Sequence, residues 1–358
     1  MGVYEATAIV IVAVMTEIMF TAPRSDAELL GPAVWHGYLI RTLLAMAAFL
    51  ILSRLMDRFP GHDLVFVYKK VFGNVAGSTF SLLLGAAFLF QAIRFTREFS
   101  EAIKVYVYSS TPPSFIMIFF LFAVLVILYF GFETVARTSA LFLLPVLFGY
   151  LLIYILGFPL YKYCNLFPVL GFGMSRDLTF SIENISFFGE SLSLAVILSS
   201  LQGNKYFKNS GLRGIAISGL FTAAGTLAYT MAFSYPVGLE NVIPAFSFTS
   251  VIELGTFFQR FDSVFLFIWS IGAMVTVAID TYIFLSIYCK VFKINDHKPL
   301  VLPMGILIFS AGIMVKDLST LSFVIIPFFR KYAGIIYFGL PLLALLFAAI
   351  RRQNEGAS

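Results

Sequence analysis

Ser186-Phe187-Phe188-Gly189-Glu190-Ser191 lies in the middle of an apolar run over residues 178–201. A glutamate beside a glycine is out of place there if the run is one uninterrupted helix in hydrocarbon. An unpaired charge at the centre of a membrane helix costs about 2.5–3.5 kcal/mol on insertion scales, and glycine is the residue through which a helix most readily bends or opens. The stretch therefore predicts a membrane helix that is broken at depth. Such breaks survive only where the freed backbone N–H and C=O groups line a protein cavity. A second stretch repeats the arrangement near the N-terminus, running from Ala13 through Thr16, Glu17 and Ile18 to Pro23. It puts a glutamate in an apolar run and a proline where a continuing helix would be interrupted.

Working outward, the 358-residue chain is 60% hydrophobic and 12% charged, with a mean hydropathy of +0.93. That leaves too little polar surface to cover a water-soluble globule. The apolar runs are long rather than short and alternating, which excludes an outer-membrane barrel and predicts helices. Spans are read at 3–27 (broken), 35–56, 75–102, 114–130, 138–160, 178–201 (broken), 214–233, 263–289, 300–315 and 334–350. The fold class is thus an all-α polytopic membrane protein of about ten transmembrane helices. The whole chain, 1–358, reads as one transmembrane domain with halves at about 1–160 and 165–350. Five spans per half insert the second half upside down, an inverted repeat. Residues 245–259 are apolar but too short and mixed to span, and read as an interfacial or re-entrant helix acting as a lid.

The first apolar run starts almost at Met1 without a basic leader, so it is expected to stay in the protein. Lys and Arg crowd the loops after spans two, four, six and eight and the tail at Arg351 and Arg352, which predicts both termini on the cytoplasmic side. The net charge of +5 is spread over short connections rather than gathered in a basic domain, which speaks against a nucleic-acid partner; the bilayer is the expected surrounding. Cys164 and Cys289 fall near opposite faces and are not expected to pair. His36, His62 and His297 share no ligand spacing, so no metal is expected. No nucleophile–base pair, phosphate loop or cofactor fingerprint is present, so neither an enzyme nor a cofactor is expected.

Four further groups bear on a pocket. Gln91 lies deep in span three and reads as pocket-lining, whereas Arg94–Glu98 and Arg97–Glu101, at i, i+4 spacing, read as salt bridges near the outer face. Thr276 and Asp280 share one face of span eight. Asp280 fits two roles: an ion-coupling site for a cation or proton, or a hydrogen-bonded tie to a neighbouring helix. His36 and Arg41 read as interfacial anchors. Glu17 and Glu190 each have a plainer reading too, as a helix-end residue and as structural glue.

Several segments resemble one family. They are Phe59-Pro60-Gly61, Tyr68-Lys69-Lys70-Val71-Phe72-Gly73, Thr111-Pro112-Pro113, Gly131 to Arg137, Asn165 to Gly171, Phe188-Gly189-Glu190 and Arg260-Phe261-Asp262 leading to Ile268-Trp269. In order and spacing they resemble the B subunit of spore germinant receptors (GerAB type), a branch of the amino acid–polyamine–organocation transporter superfamily. The departures are Thr16-Glu17-Ile18, where relatives tend to have small residues, and Thr276 in place of a basic residue. The resemblance implies a LeuT-like 5+5 inverted repeat with broken first and sixth helices. It also implies a place in the inner membrane of spores, assembly with receptor A and C subunits, and a small-molecule germinant, commonly an amino acid, as ligand. On this reading the ligand is held by Thr16, Glu17, Ile18, Gln91, Phe187, Phe188, Gly189, Glu190, Ser191 and Thr276, with Asp280 as the ion-coupling candidate. The competing function with the same fold and pocket is a proton- or cation-coupled amino-acid transporter. A scaffold with a vestigial pocket is the third.

Overall fold

The computed structural model describes residues 1–18, 22–241, 243–252 and 261–351, with the side chains of Glu17, Ile18 and Ala22 also outside the description. The helices are α1 (Val3–Ile18), α2 (Ala22–Leu30), α3 (Val34–Asp57), α4 (Leu64–Phe72), α5 (Asn74–Tyr106), α6 (Pro113–Tyr129), α7 (Phe132–Leu156), α8 (Met174–Glu183), α9 (Ser193–Val196), α10 (Asn204–Ala232), α11 (Tyr235–Gly238), α12 (Pro244–Ser250), α13 (Phe261–Phe292) and α14 (Lys298–Met314). The last, α15, runs over Leu318–Ile350 and contains two π-helical turns, Leu321–Ile325 and Ile335–Gly339. Among the described residues six helices are long and apolar enough to cross a membrane. The shorter apolar helices at Val3–Thr16, Pro113–Tyr129 and Lys298–Met314 join them. The chain is an all-α multi-pass membrane protein.

α1 is the axis of the bundle. Ala6 and every residue from Ala8 to Met15 are buried, as expected of a helix that is apolar all round. It packs on α7, α10, α13 and the unwound stretch at 185–192. Small residues let the backbones approach: Gly214 of α10 faces Val10, and Gly272 of α13 faces Thr16. Around this axis α3 packs on α10, α5 on α13 and α6 on α14, while α5–α14 is mirrored by α13–α6. These are the second with the seventh, the third with the eighth and the fourth with the ninth span. Large apolar side chains such as Phe119 and Phe122 of α6, Leu144 and Phe148 of α7 and Leu302 of α14 point outward. That outer surface is suited to lipid rather than water.

Two of the quoted motifs owe their glycines to joints. Gly73 (φ 87°) alone separates α4 from α5, and Gly131 (φ 88°), with Phe130, separates α6 from α7. A side chain at that positive φ would clash with its own backbone. At the end of the bundle that holds the N-terminus, four ties hold the closure. The Met1 ammonium donates to the Ser200 carbonyl (3.1 Å), and Lys290 Nζ donates to the Val196 carbonyl (2.7 Å) and pairs with Asp63 (3.0 Å). Arg351 Nη1 donates to the Val71 carbonyl (3.0 Å). Both described chain ends therefore lie at the same end of the bundle.

The structure corrects several boundaries and roles. The tenth span begins at Leu318, sixteen residues before the expected 334, and carries Arg330 inside it. Arg330 reads in the sequence as a loop cation, yet its guanidinium lies 4.1 Å from the Phe187 ring centroid, while Lys331 turns outward toward Glu183 (3.8 Å). α15 starts where Asp317 caps it, accepting from the Thr320 N–H at 2.7 Å. That hydrogen bond, helped by Lys316 and Arg97, holds the Asp317 carboxyl below its ordinary value. A depressed carboxyl contributes stability above the unfolded pKa, near 4, and loses it as pH falls through the lower folded value. The Thr320 amide should thus keep its hydrogen-exchange protection factor from neutral pH down to about pH 4 and lose it only below. An Asp317→Ala variant should lack the protection at every pH.

Pro23 does not end the first span. It sits in the first turn of α2, where a missing N–H costs nothing, and so lies at the start of the second helical segment of span one. Residues 19–21, between the halves, lie outside the described residues. The sixth span is α8, a run of 3₁₀ geometry at Ile185–Leu192, then the four-residue α9. Gly189 is not at positive φ there. Its role is room, since a methyl group on it would overlap the Tyr337 ring. Within the segment expected as a lid, Pro244–Ser250 is helical with Phe246, Phe248 and Thr249 buried, and it packs on α13 and α10; 253–260 lie outside the described residues.

Candidate functional site

The break in span six places Glu190, 1% exposed, against span three. Gln91 Nε2 of α5 donates to Glu190 Oε1 (3.2 Å), while Gln91 Oε1 accepts from Arg94 Nε (2.9 Å). Arg94 Nη1 pairs in turn with Glu98 Oε2 at 2.6 Å, both side chains almost fully buried. The Gln91 amide thus joins a carboxylate on the unwound stretch to an ion pair on a straight helix. Arg94–Glu98 was expected as a simple bridge near the outer face. It is a buried part of the site, because α5 turns this face toward α13 and the break. Arg97–Glu101 (2.6 Å) also forms, and Arg97 reaches the Lys316 carbonyl (3.2 Å), holding α5 to the start of α15.

Along the chain Glu190–Gln91–Arg94–Glu98 two carboxylates flank one guanidinium.

Thr16 closes α1. Its hydroxyl donates to the Val12 carbonyl (2.6 Å), and its own carbonyl, freed by the end of the helix, accepts from Trp269 Nε1 (3.3 Å). Trp269 is clamped by Phe99 (stacked, 5.1 Å) and Phe95 (edge-on, 6.1 Å) of α5. Thr276 donates to the Gly272 carbonyl (2.9 Å), and Gly272 is the glycine that Thr16 packs on. Thr16 and Thr276 therefore both border Gly272 at the α1–α13 contact. Asp280 lies one turn further along, 1% exposed. Ser191 donates to the Phe188 carbonyl (2.7 Å), and Phe188 is fully buried. The backbone of Glu17 and Ile18 ends α1; their side chains lie outside the described residues.

Phe187 belongs to a second cluster. Its ring lies beneath Arg41 (4.8 Å) and Arg330 (4.1 Å) and edge-on to Tyr38 (5.8 Å). Arg41, 0% exposed, pairs with Asp26 of α2 at 2.8 Å and stacks on Tyr38 at 4.1 Å. The structure so corrects Arg41 from an interfacial anchor to a buried tie between the second helical segment of span one and span two. Asp177 of α8 is buried near it. Only partners far along the chain reveal this cluster, although an arginine inside Phe328-Phe329-Arg330 was a usable signal.

A small cavity of about 30 Å³, enough for a water or two, lies beside Pro23 and α12, lined by Tyr154, Thr226, Tyr229, Phe248 and Phe265 among others. It is apolar and separate from the Gln91–Glu190 contact.

Set beside known proteins, the chain is 25% identical over 313 residues to spore germination protein A2 of Bacillus subtilis, covering 85% of this chain and 83% of the relative. It is 24% identical to spore germination protein KB of the same organism over 302 residues, 82% of this chain and 79% of the relative. Spore germination protein YndE, also of Bacillus subtilis, is 24% identical over 360 residues, 98% of this chain and 97% of the relative. A family described as spore germination protein matches residues 2–319, nearly the whole described bundle, and the chain belongs to that family.

Proposed function

We propose that this protein is a germinant-sensing subunit of a spore receptor, in the inner membrane of the spore with both termini cytoplasmic, which binds a small nutrient germinant, an amino acid, and signals to A and C partner subunits. The observation that carries the reading is the Glu190–Gln91–Arg94–Glu98 chain, anchored on an unwound stretch at the heart of the bundle. Glu190 can exchange the Gln91 amide for a ligand ammonium. Backbone N–H groups at a half-helix N-terminus suit a ligand carboxylate, while the carbonyls freed at the C-terminal end of α1 suit its ammonium. On this reading Thr16, Gly189, Ser191 and Thr276 would surround the bound ligand. Binding would then shift a two-state bundle.

Glu190→Gln keeps the shape and the Gln91 contact but removes the charge. Spores carrying it as the sole copy should lose the response to the receptor's germinant while retaining germination through other receptors, measured as the fall in optical density of a spore suspension. A response equal to wild type would remove Glu190 from the ligand site.

Asp280, buried on α13 one turn beyond Thr276, supports the second reading, a proton- or cation-coupled amino-acid transporter. Uptake of labelled amino acid into proteoliposomes separates the two: a sensor binds without accumulation, and a carrier accumulates under an imposed gradient.

A further inference from the structure

We infer that α15, the tenth span, is the output element of the site: it reads the unwound stretch 185–192 through one face and carries its movement to α4 at the end of the bundle that holds the chain termini. The inference deepens the ligand-site reading above and rests on it for its purpose, though not for its mechanics.

Three residues of α15 at i, i+4, i+7 spacing form a single face against the break. Arg330 stacks on Phe187 at 4.1 Å, and its carbonyl accepts from Ser186 Oγ at 2.7 Å. Gly334 comes so close to Ile185 that an added methyl would lie 3.2 Å from Ile185 Cγ2. Tyr337 fills the space above Gly189 and packs edge-on to Phe88 of α5 at 5.4 Å. Any rewinding of 185–192 must therefore move this face.

α15 is also built to move. Its π turns at Leu321–Ile325 and Ile335–Gly339 lie on either side of Arg330, and the second contains Tyr337. A π turn stores one extra residue and recurs at functional sites; passing that residue along the helix shifts register without breaking it. From Tyr337 to Arg351 the helix runs about 21 Å. At its far end Phe347 packs on Phe72 (5.5 Å) and Arg351 holds the Val71 carbonyl (3.0 Å), both on α4. Packed interfaces switch between discrete arrangements, so a small displacement at the break is delivered as a step, not absorbed.

The test uses the full chain in nanodiscs with Cys164 and Cys289 replaced by serine and spin labels at Phe292→Cys and Ile350→Cys, two exposed positions at that end. Gly189→Ala drives the Tyr337 ring away. It should move the label distance by about 1–2 Å, or add a second distance population. Gly189→Ala with Tyr337→Ala removes the overlap and should bring the mean distance back to that of the parent, with the breadth of Tyr337→Ala alone. If Gly189→Ala does not fold, Ser186→Ala and Tyr337→Ala, which only loosen the face, should each broaden the same distribution. A distribution unchanged in every folded variant, or a shift that Tyr337→Ala does not reverse, overturns the proposal. No ligand enters the measurement, so failure of the ligand site and failure of this linkage give separate results.

Discussion

Replacing Arg94 by alanine is expected to destabilise the protein by about 3–5 kcal/mol, the usual cost of breaking a buried ion pair from one side. Arg94 serves two acceptors, Glu98 Oε2 at 2.6 Å and Gln91 Oε1 at 2.9 Å. Without it the Glu98 carboxylate stays buried without this cation, and the Gln91 amide loses the contact that aims its NH₂ at Glu190. The double variant Arg94→Ala/Glu98→Ala should lose less than the sum of the single ones, by roughly 0.5–3 kcal/mol of coupling. Equilibrium unfolding of the purified protein in bicelles measures both. Arg94→Lys should fall between, since an ammonium keeps the charge but not the fork that serves two partners at once. Strict additivity would mean that the pair is structurally incidental.

Arg41→Ala should cost a similar amount, about 3–5 kcal/mol, for a different reason. Arg41 is wholly buried, joined to Asp26 at 2.8 Å and flanked by Tyr38 and Phe187 rings at 4.1 and 4.8 Å. Its removal leaves the buried Asp26 of α2 without its guanidinium partner. Arg41→Lys should recover only part of the loss, because the stacking on two rings is a property of the planar guanidinium. Asp26→Leu with Arg41→Met, which removes both charges and keeps volume, should recover most of it. The same unfolding assay checks these. Should the double replacement be as unstable as Arg41→Ala, packing rather than charge would be the source.

These two arginines show what the sequence could and could not tell. Glu190 was legible because a charge beside a glycine within an apolar run asks for a break, and the break is there. Gln91 was legible because it lies deep in span three. Arg41 was not, since an arginine near the start of a span reads the same whether it reaches to the interface or turns inward. Only Asp26, across the turn between α2 and α3, decides. Arg330 was hidden in the same way: Arg330-Lys331 reads as a loop, and the pair divides only in three dimensions, one side chain onto Phe187 and the other outward. Gly189 was assigned to the right place for the wrong reason, its bareness serving Tyr337 rather than a strained backbone. Periodicity and length locate helices, but contacts between distant spans are set by tertiary packing, which leaves no local signal.

The central claim is that the Gln91–Glu190 junction binds an amino acid, and the measurement that tests it most directly is the thermal unfolding of the purified full chain against a panel of amino acids, wild type beside Glu190→Gln. A ligand at a hundredfold excess over its Kd stabilises by about 2.7 kcal/mol. The wild type should show a rise in Tm with one or a few amino acids, and Glu190→Gln should show none with the same compounds. A wild type indifferent to every amino acid, or a Glu190→Gln variant that responds as fully as the wild type, would contradict it.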